Sequence, residues 1–287
     1  MCWNRPAFEI LKETCAPSSS EGGLYTARCG GAIQRRPEAV PLCAHCGYNA
    51  GLRRPKPTHV RHYFLPEHAP CNQPELFDRE ALERAGCVSE IRRSGRGETV
   101  FFQHAGEELV LRHYRRGGLP ARISRDRFTW TGLTRTRAWC EYRLLKKLEA
   151  LDLPAPRAFA AHVVRQKLHY RADIITHCIP HAIPLAERLV STQETTGMMQ
   201  RVGSTIRRFH DAGIDHVDLN INNIVLDDRD VVYLLDFDRC GLRTPAARWQ
   251  RANLARLLRS LRKLPLQAQE IDALWNVLEG AYSSSTR

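Results

Sequence analysis

No apolar run in this sequence reaches the ~18–20 residues needed to cross a bilayer, although 43% of its 287 residues are apolar. The opening residues, MCWNRPAFEILKE, lack the basic start, apolar stretch and small-residue cleavage site of a secretory signal. A soluble, cytoplasmic protein is the expectation. Acid is also in deficit: 31 Asp and Glu stand against 43 Lys and Arg, most of them Arg, for a formal net charge of +12. That imbalance predicts an anionic partner, whether phosphorylated lipid, membrane surface, nucleic acid or nucleotide, without choosing among them. Cysteine is scarce after residue 87, where only Cys140, Cys178 and Cys240 occur, and these are expected as reduced, mostly buried thiols. Methionine is nearly absent. Beyond Met1 there are only Met198 and Met199, so a later start, for example near Val60, would need a non-Met codon.

What is present changes character along the chain. Residues 1–73 are rich in Pro, Gly, Cys and His without sustained periodicity, and read as an irregular N-terminal extension or a misassigned start. Cys43-Ala-His-Cys46 has the spacing of half a zinc knuckle, with Cys29, His62, His68 and Cys71 as candidates to complete it. Structural zinc sites usually show two such close pairs, so the irregular reading is the default. From Glu75 the pattern becomes orderly. A short helix is predicted over Glu75–Ala85, and strands over Ser94–Phe102 and Glu108–Tyr114 with a turn at Ala105-Gly106. A helix over Arg135–Leu151 carries Trp139, Tyr142, Leu145 and Leu148 at helical spacing, and Pro154 and Pro156 stop it. Strands follow at Ala158–Val164 and Leu168–Thr176. Ser191-Thr-Gln-Glu194 then reads as a capping box opening a helix with Met199, Val202, Ile206 and Phe209 on its apolar face. A last helical region spans Trp249–Tyr282.

The chemistry is concentrated in His216-Val-Asp-Leu-Asn-Ile-Asn-Asn-Ile-Val-Leu226 and Val231-Val-Tyr-Leu-Leu-Asp-Phe-Asp238. Phosphoryl transfer needs a group to orient a hydroxyl, ligands to hold Mg²⁺ on the ATP phosphates, and cations to neutralise developing charge. An HxD loop supplies an Asp for the acceptor proton, an Asn five positions later reaches a metal, and an Asp after a hairpin grips the metal on the phosphates. Asp218 and Asn223 have that five-residue offset, and Asp236 follows thirteen residues later, across the turn Asp227-Asp228-Arg229-Asp230. Asp218 is therefore the candidate catalytic residue, and Asn223 and Asp236 are the candidate metal ligands, with Asp238 as an additional one. His216 reads as a brace for the loop, and Asn220 and Asn222 as loop formers.

Strands with one helix, followed mostly by helices, is the order of a bilobal kinase-like fold. The expected division is an N-lobe at 74–178 and a C-lobe at 179–287, after the 1–73 extension. On the nucleotide side, Gly95-Arg96-Gly97 is a tight turn whose backbone N–H groups suit phosphate. Arg112, in Leu109-Val-Leu-Arg112, stands where a kinase strand has its Lys; it keeps the charge with a different donor geometry. Glu141 is its natural ion-pair partner, and Thr176-His-Cys178 the hinge whose backbone reads adenine. Only 51 residues follow Asp236 and there is no Ala-Pro-Glu anchor, so a peptide-substrate platform is not expected.

The runs Glu108–Leu119, Phe128–Arg137, Glu141–Leu145, Asp218–Ile224, Asp236-Phe-Asp-Arg239 and Asn253–Leu261 resemble the lipopolysaccharide core kinases of the protein-kinase-like superfamily, in particular those acting on 3-deoxy-D-manno-octulosonic acid (Kdo). The resemblance extends from about Glu75 to the C-terminus and leaves residues 1–73 unaccounted for. Asp-Phe-Asp replaces the usual Asp-Phe-Gly, and Cys240 stands where Gly is expected. The resemblance implies an α+β fold with a small antiparallel N-lobe sheet, one main helix and a short, mostly helical C-lobe. It implies transfer of the ATP γ-phosphate to the 4-hydroxyl of Kdo on a lipid A precursor, with Mg²⁺, through Asp218, Asn223 and Asp236.

Arg115, Arg116, Arg122 and Arg127, interleaved with Tyr114, Phe128 and Trp130, suit an anionic headgroup region or the acceptor's carboxylates and phosphates. Peripheral contact with the cytoplasmic face of the inner membrane is expected; nucleic acid and an obligate protein partner are not. Two alternatives stay open: a kinase of the same fold acting on a heptose, an aminoglycoside or another small alcohol, and a membrane-docking pseudokinase.

Overall fold

Residues 60–66, 73–94, 97–116, 126–192 and 194–284 are described by the structure, a computed structural model. The chain begins there with β1 (Val60–Leu65), a 3-10 turn at Pro74–Phe77 and α1 (Arg79–Arg84), whose N-cap Asp78 accepts from Glu80 and Ala81 N–H. Next come β2 (Val88–Ser94), β3 (Gly97–His104), β4 (Glu107–His113), β5 (Phe128–Thr129), α2 (Arg137–Ala150), β6 (Ala158–Gln166) and β7 (His169–His177). They form a seven-stranded antiparallel sheet in the order β1-β6-β7-β4-β3-β2, with β5 pairing β7.

Side-chain alternation along these strands assigns two different faces. Val100, Phe102, Leu109, Leu111, Ala160 and Ile175 turn to one side and pack with Leu76, Phe77 and Leu82 in a small separate core. Arg112 is the register partner of Thr99 on β3 and of Ile174 on β7. It therefore turns to the opposite side, toward α2. That helix buries Ala138, Trp139, Tyr142, Leu145 and Leu148 at the predicted spacing, with Glu141 on the same side.

The second half is mostly helical, with β8 (Ile183–Pro184), α3 (Leu185–Ser191), α4 (Thr196–Asp211), β9 (Ile214–Asp215), β10 (Ile224–Leu226), β11 (Val232–Leu234), β12 (Gly241–Leu242), α5 (Ala247–Leu261) and α6 (Ala268–Ser284). α4 buries Met199, Val202, Ile206 and Phe209 as predicted. α6 lies so close to it that a Cβ on Gly203 would sit 2.3 Å from Leu278 O. This is the expected protein-kinase-like α+β arrangement, a small antiparallel sheet with one main helix followed by a helical part.

Local expectations fail in several places. Ser191-Thr-Gln-Glu194 opens no helix: α3 ends at Ser191, Thr192 accepts from Glu194 N–H (3.2 Å), and α4 starts at Thr196 without a side-chain cap. The last helical region is two helices, separated around Pro265. Val60–Leu65, placed by sequence in the irregular extension, is an edge strand registered from Val60↔Gln166 to Leu65↔Ala161. Of the zinc candidates only His62 lies within the described residues, and its Nδ1 shares a 3.1 Å hydrogen bond with His162 Nε2. Cys178 and Cys240 are half-buried thiols, but Cys140 is exposed.

Candidate active site

The HxD loop is held from below and from the side. His216 is buried, its Nε2 donates to Leu235 O at 2.8 Å, and its ring centroid lies 5.0 Å from that of Phe237. Burial keeps this imidazole neutral by pushing its pKa down. His216 therefore braces the residue before Asp236, as its sequence context suggested. Asn253 of α5 donates from Nδ2 to Asp215 Oδ1 (3.1 Å), and Ser260 of the same helix accepts from Ile221 N–H (2.9 Å). The loop is thus anchored at both ends of Asp218.

Asn220 and Asn223 both donate from Nδ2 to the Asp218 carbonyl, at 2.9 and 3.0 Å. The Asp218 carboxylate itself makes no hydrogen bond or ion pair among the described residues and is exposed. Asn222 donates its N–H to Asn220 Oδ1 (2.9 Å), the loop-forming role expected of both. The hairpin β10–β11 brings the metal candidates together: Leu235 N–H donates to Asn223 O at 2.8 Å, so Asp236 emerges beside Asn223. Asp236 has φ +60, a left-handed conformation that a non-glycine residue adopts at a cost.

Arg112 bridges two carboxylates. Its Nη1 meets Asp236 Oδ1 and its Nη2 meets Glu141 Oε1. Tyr114 OH donates to the other Glu141 oxygen. Burial pushes the Glu141 carboxyl up and the Arg112 charge pulls it back, with burial prevailing. Asp236 also feels burial, but the charge and hydrogen bond of Arg112 hold it below the usual carboxylate range. The predicted Arg112–Glu141 pair is present; the reach of Arg112 to Asp236 was not predicted. Nor was Arg137, whose Nη1 lies 3.0 Å from Asp238 Oδ2. Arg137 and Asp238 lie far apart in the sequence, at the start of α2 and in the Asp-Phe-Asp turn, so there was no local signal for that contact.

These residues line one cavity of about 1110 Å³, whose wall includes Gly97, Arg112, Glu141, Thr176, Asn223 and Asp236. Its size admits a nucleotide. Asp218 is not part of that wall. The arrangement separates a donor compartment from an exposed Asp at which an acceptor hydroxyl can arrive from solvent. Gly95, Arg96 and Arg122 lie outside the described residues. Thr176 and Cys178 do border the cavity, but the Cys178 N–H already donates to Glu108 O and the His177 N–H to Arg157 O, both at 2.9 Å. The sheet ladder continues through these donors, so they are not available to a base as expected.

The Arg-rich stretch also differs from expectation. Tyr114 and Phe128 are buried, and Trp130 stacks on Tyr63 (5.6 Å) under the Arg165 guanidinium (4.6 Å). These aromatic groups pack inward and are not exposed anchors. Arg115 and Arg116 border the cavity, and Arg116 also lies over the Phe128 ring at 5.2 Å. Arg127 is exposed.

The donor atoms suit a hard divalent cation. Asn223 commits Nδ2 to Asp218 O, which leaves Oδ1 as acceptor; Asp236 has an oxygen beyond the one on Arg112; and Asp238 Oδ1 is buried without a hydrogen-bond partner. Among the described residues no cluster of three or more His, Cys, Asp or Glu side chains forms a protein-only metal cage. Mg²⁺ on a nucleotide does not need one, because one or two carboxylates are completed by phosphate and water.

The sequence pattern of the lipopolysaccharide kinase (Kdo/WaaP) family matches residues 83–278. The chain is similar to the 3-deoxy-D-manno-octulosonic acid kinase of Stenotrophomonas maltophilia strain K279a, 42% identical over 66% of this chain and 80% of that one. It is similar to the proteins of that name from Xanthomonas campestris pv. campestris strain B100 (40%, covering 72% and 88%) and Vibrio parahaemolyticus (39%, covering 68% and 81%). A solved structure titled WaaP in complex with acyl carrier protein aligns at TM-score 0.49 and 17% identity, over 72% of this chain and 82% of that one.

Proposed function

This chain belongs to the lipopolysaccharide kinase (Kdo/WaaP) family and is an ATP-dependent kinase, and from that premise we propose that it phosphorylates the 4-hydroxyl of Kdo on a lipid A precursor. The observation that carries the reading is the Arg112 bridge, which brings Glu141 and Asp236 to one guanidinium on the wall of a nucleotide-sized cavity. Asp218 orients the acceptor hydroxyl and takes its proton as the sugar oxygen bonds to the γ-phosphorus and the bond to ADP breaks. Arg112 holds the phosphates, fixed in place by Glu141. Asn223 and Asp236, with Asp238, would hold Mg²⁺, which when bound neutralises charge on the phosphate oxygens. Gly95–Gly97 would offer backbone N–H groups to the phosphates. The adenine would be read beyond the committed N–H groups, at Ile179 and Ala182, which also line the cavity.

The same reading places the protein peripherally at the cytoplasmic face of the inner membrane. No helix among the described residues is long and apolar enough to cross a bilayer. Support comes from the net charge of +12 and from α5. That helix carries no acid, and its exposed Arg248, Arg251 and Arg259, with the C-cap Arg262, make no ion pair or side-chain hydrogen bond among the described residues. At 100° per residue these four fall within an arc of roughly 80°, a face suited to anionic headgroups.

An ATP-consumption assay with a Kdo–lipid A precursor, a heptose and an aminoglycoside as acceptors tests the substrate. Turnover is expected with the Kdo acceptor; turnover with heptose or aminoglycoside alone overturns the assignment.

A further inference from the structure

α2 carries Arg137 and Glu141 one turn apart, at i and i+4, so both side chains leave the same face of the helix. The Asp-Phe-Asp turn carries two carboxylates opposite them. Glu141 reaches Asp236 through Arg112, and Arg137 meets Asp238 directly at 3.0 Å. This second contact is sheltered: the Arg137 and Asp238 side chains are 23% and 17% exposed. It differs in that respect from solvent-exposed ion pairs, which hold little in place. Arg137 is itself fixed from two directions. Its guanidinium packs over the Phe128 ring of β5 at 4.7 Å, and its backbone N–H donates to Tyr170 OH of β7 at 3.2 Å.

Asp238 divides its carboxylate between two tasks. Oδ2 takes the arginine, while Oδ1 is buried without a partner, in a residue that borders the cavity. The Asp238 N–H leans on Asp236 Oδ1 (3.4 Å), so the two carboxylates share one turn whose first residue has φ +60. A glycine at this position, as in Asp-Phe-Gly, would leave the turn free to swing.

We propose that Arg137 is a positioning residue, which pins Asp238 to α2 so that Asp238 Oδ1 is presented to the magnesium–phosphate end of the nucleotide. The proposal rests on the kinase reading of the cavity. Removing the guanidinium leaves Asp238 Oδ1 without a partner and Oδ2 with only Arg239 Nε, 3.9 Å away on an exposed side chain, so the carboxylate and its turn are then free to leave.

Calorimetric titration of a non-hydrolysable ATP analogue, with and without Mg²⁺, reads this separately from turnover. With Mg²⁺, affinity is expected to fall by about tenfold or more in Arg137→Ala and in Asp238→Asn, as when an outer partner of a metal ligand is removed. Without Mg²⁺, affinity is expected to stay at the parental value. The double variant is expected to be no weaker than the weaker single variant, and Arg137→Lys to recover part of the loss. Parental affinity in Arg137→Ala, equal losses with and without Mg²⁺, or additive losses in the double variant overturn the proposal. If Arg137→Ala does not fold, Asp238→Asn, which preserves shape, decides by the same criteria. A parent that binds no nucleotide overturns the kinase reading, and the proposal with it.

Discussion

The two walls of the site are built by different means. The carboxylate wall, from His216 to Asp238, is stitched through backbone carbonyls by groups other than its carboxylates: Leu235 N–H to Asn223 O, His216 Nε2 to Leu235 O, and two asparagine amides to Asp218 O. The cationic wall consists of Arg112 from β4 and Arg137 from α2, and only side-chain charge connects it to the carboxylates. A wall held without its carboxylates keeps its shape when one carboxylate is changed, so that substitution removes chemistry. A charge-held wall loses its shape when one charge is removed, so a substitution there disturbs folding and affinity together.

Asp236→Ala is the strongest way to sharpen this contrast. It should lower turnover by about a thousandfold or more, while the melting temperature stays close to that of the parent; calorimetry beside the kinase assay checks both. Arg112→Ala should do the opposite kind of damage. It leaves the buried Glu141 carboxylate without its counter-charge, with only the Tyr114 hydroxyl as partner, which costs about 3–5 kcal/mol in denaturant titration. Arg112→Lys keeps the charge but lacks the fork that spans two carboxylates, so it should fold better than Arg112→Ala and still bind nucleotide poorly.

Acid breaks the comparison by another route. The carboxylate wall rests on α4, where burial pushes His210 down to about 4, and the sheet holds His162, which burial and the neighbouring His62 push down to about 3. In the unfolded chain both titrate near ~6.5. Between that value and the folded pKa the unfolded state binds more protons, so stability should be level above about pH 6.5. It should then fall by roughly 1.4 kcal/mol per pH unit for each histidine as pH drops toward 4. Denaturant midpoints across this range test the slope. The smallest effect is expected away from both walls: Trp130→Ala should cost about 1–2 kcal/mol from lost stacking on Tyr63 and the contact with Arg165, with turnover unchanged.

Legibility in the sequence follows the same division. Asp218, Asn223 and Asp236 were readable because their geometry is local: a loop, a hairpin and a fixed spacing. The α2 and α4 faces were readable because helical periodicity is local too. Arg112 and Glu141 could be paired only through a motif, and Arg137 with Asp238 not at all, since that contact joins residues a hundred positions apart with no pattern in either neighbourhood. β1 was missed for the same reason: its partner, β6, lies a hundred residues away and its flanks are rich in Pro and His. Trp130 looked exposed beside so many arginines, yet Tyr63 and Arg165 cover it from distant strands. The capping box at Ser191 had the right residues, but α3, which no periodicity announced, already occupied that position.

The central claim is that this site moves phosphate from ATP to Kdo on a lipid A precursor, with Asp218 as the residue at the acceptor. Mass spectrometry of that lipid after incubation with ATP and Mg²⁺ tests it most directly, with the parent and Asp218→Ala side by side. The account predicts a gain of one phosphoryl group on the Kdo moiety with the parent and unmodified lipid with Asp218→Ala. An unmodified lipid with the active parent, or equal phosphorylation by Asp218→Ala, would contradict it.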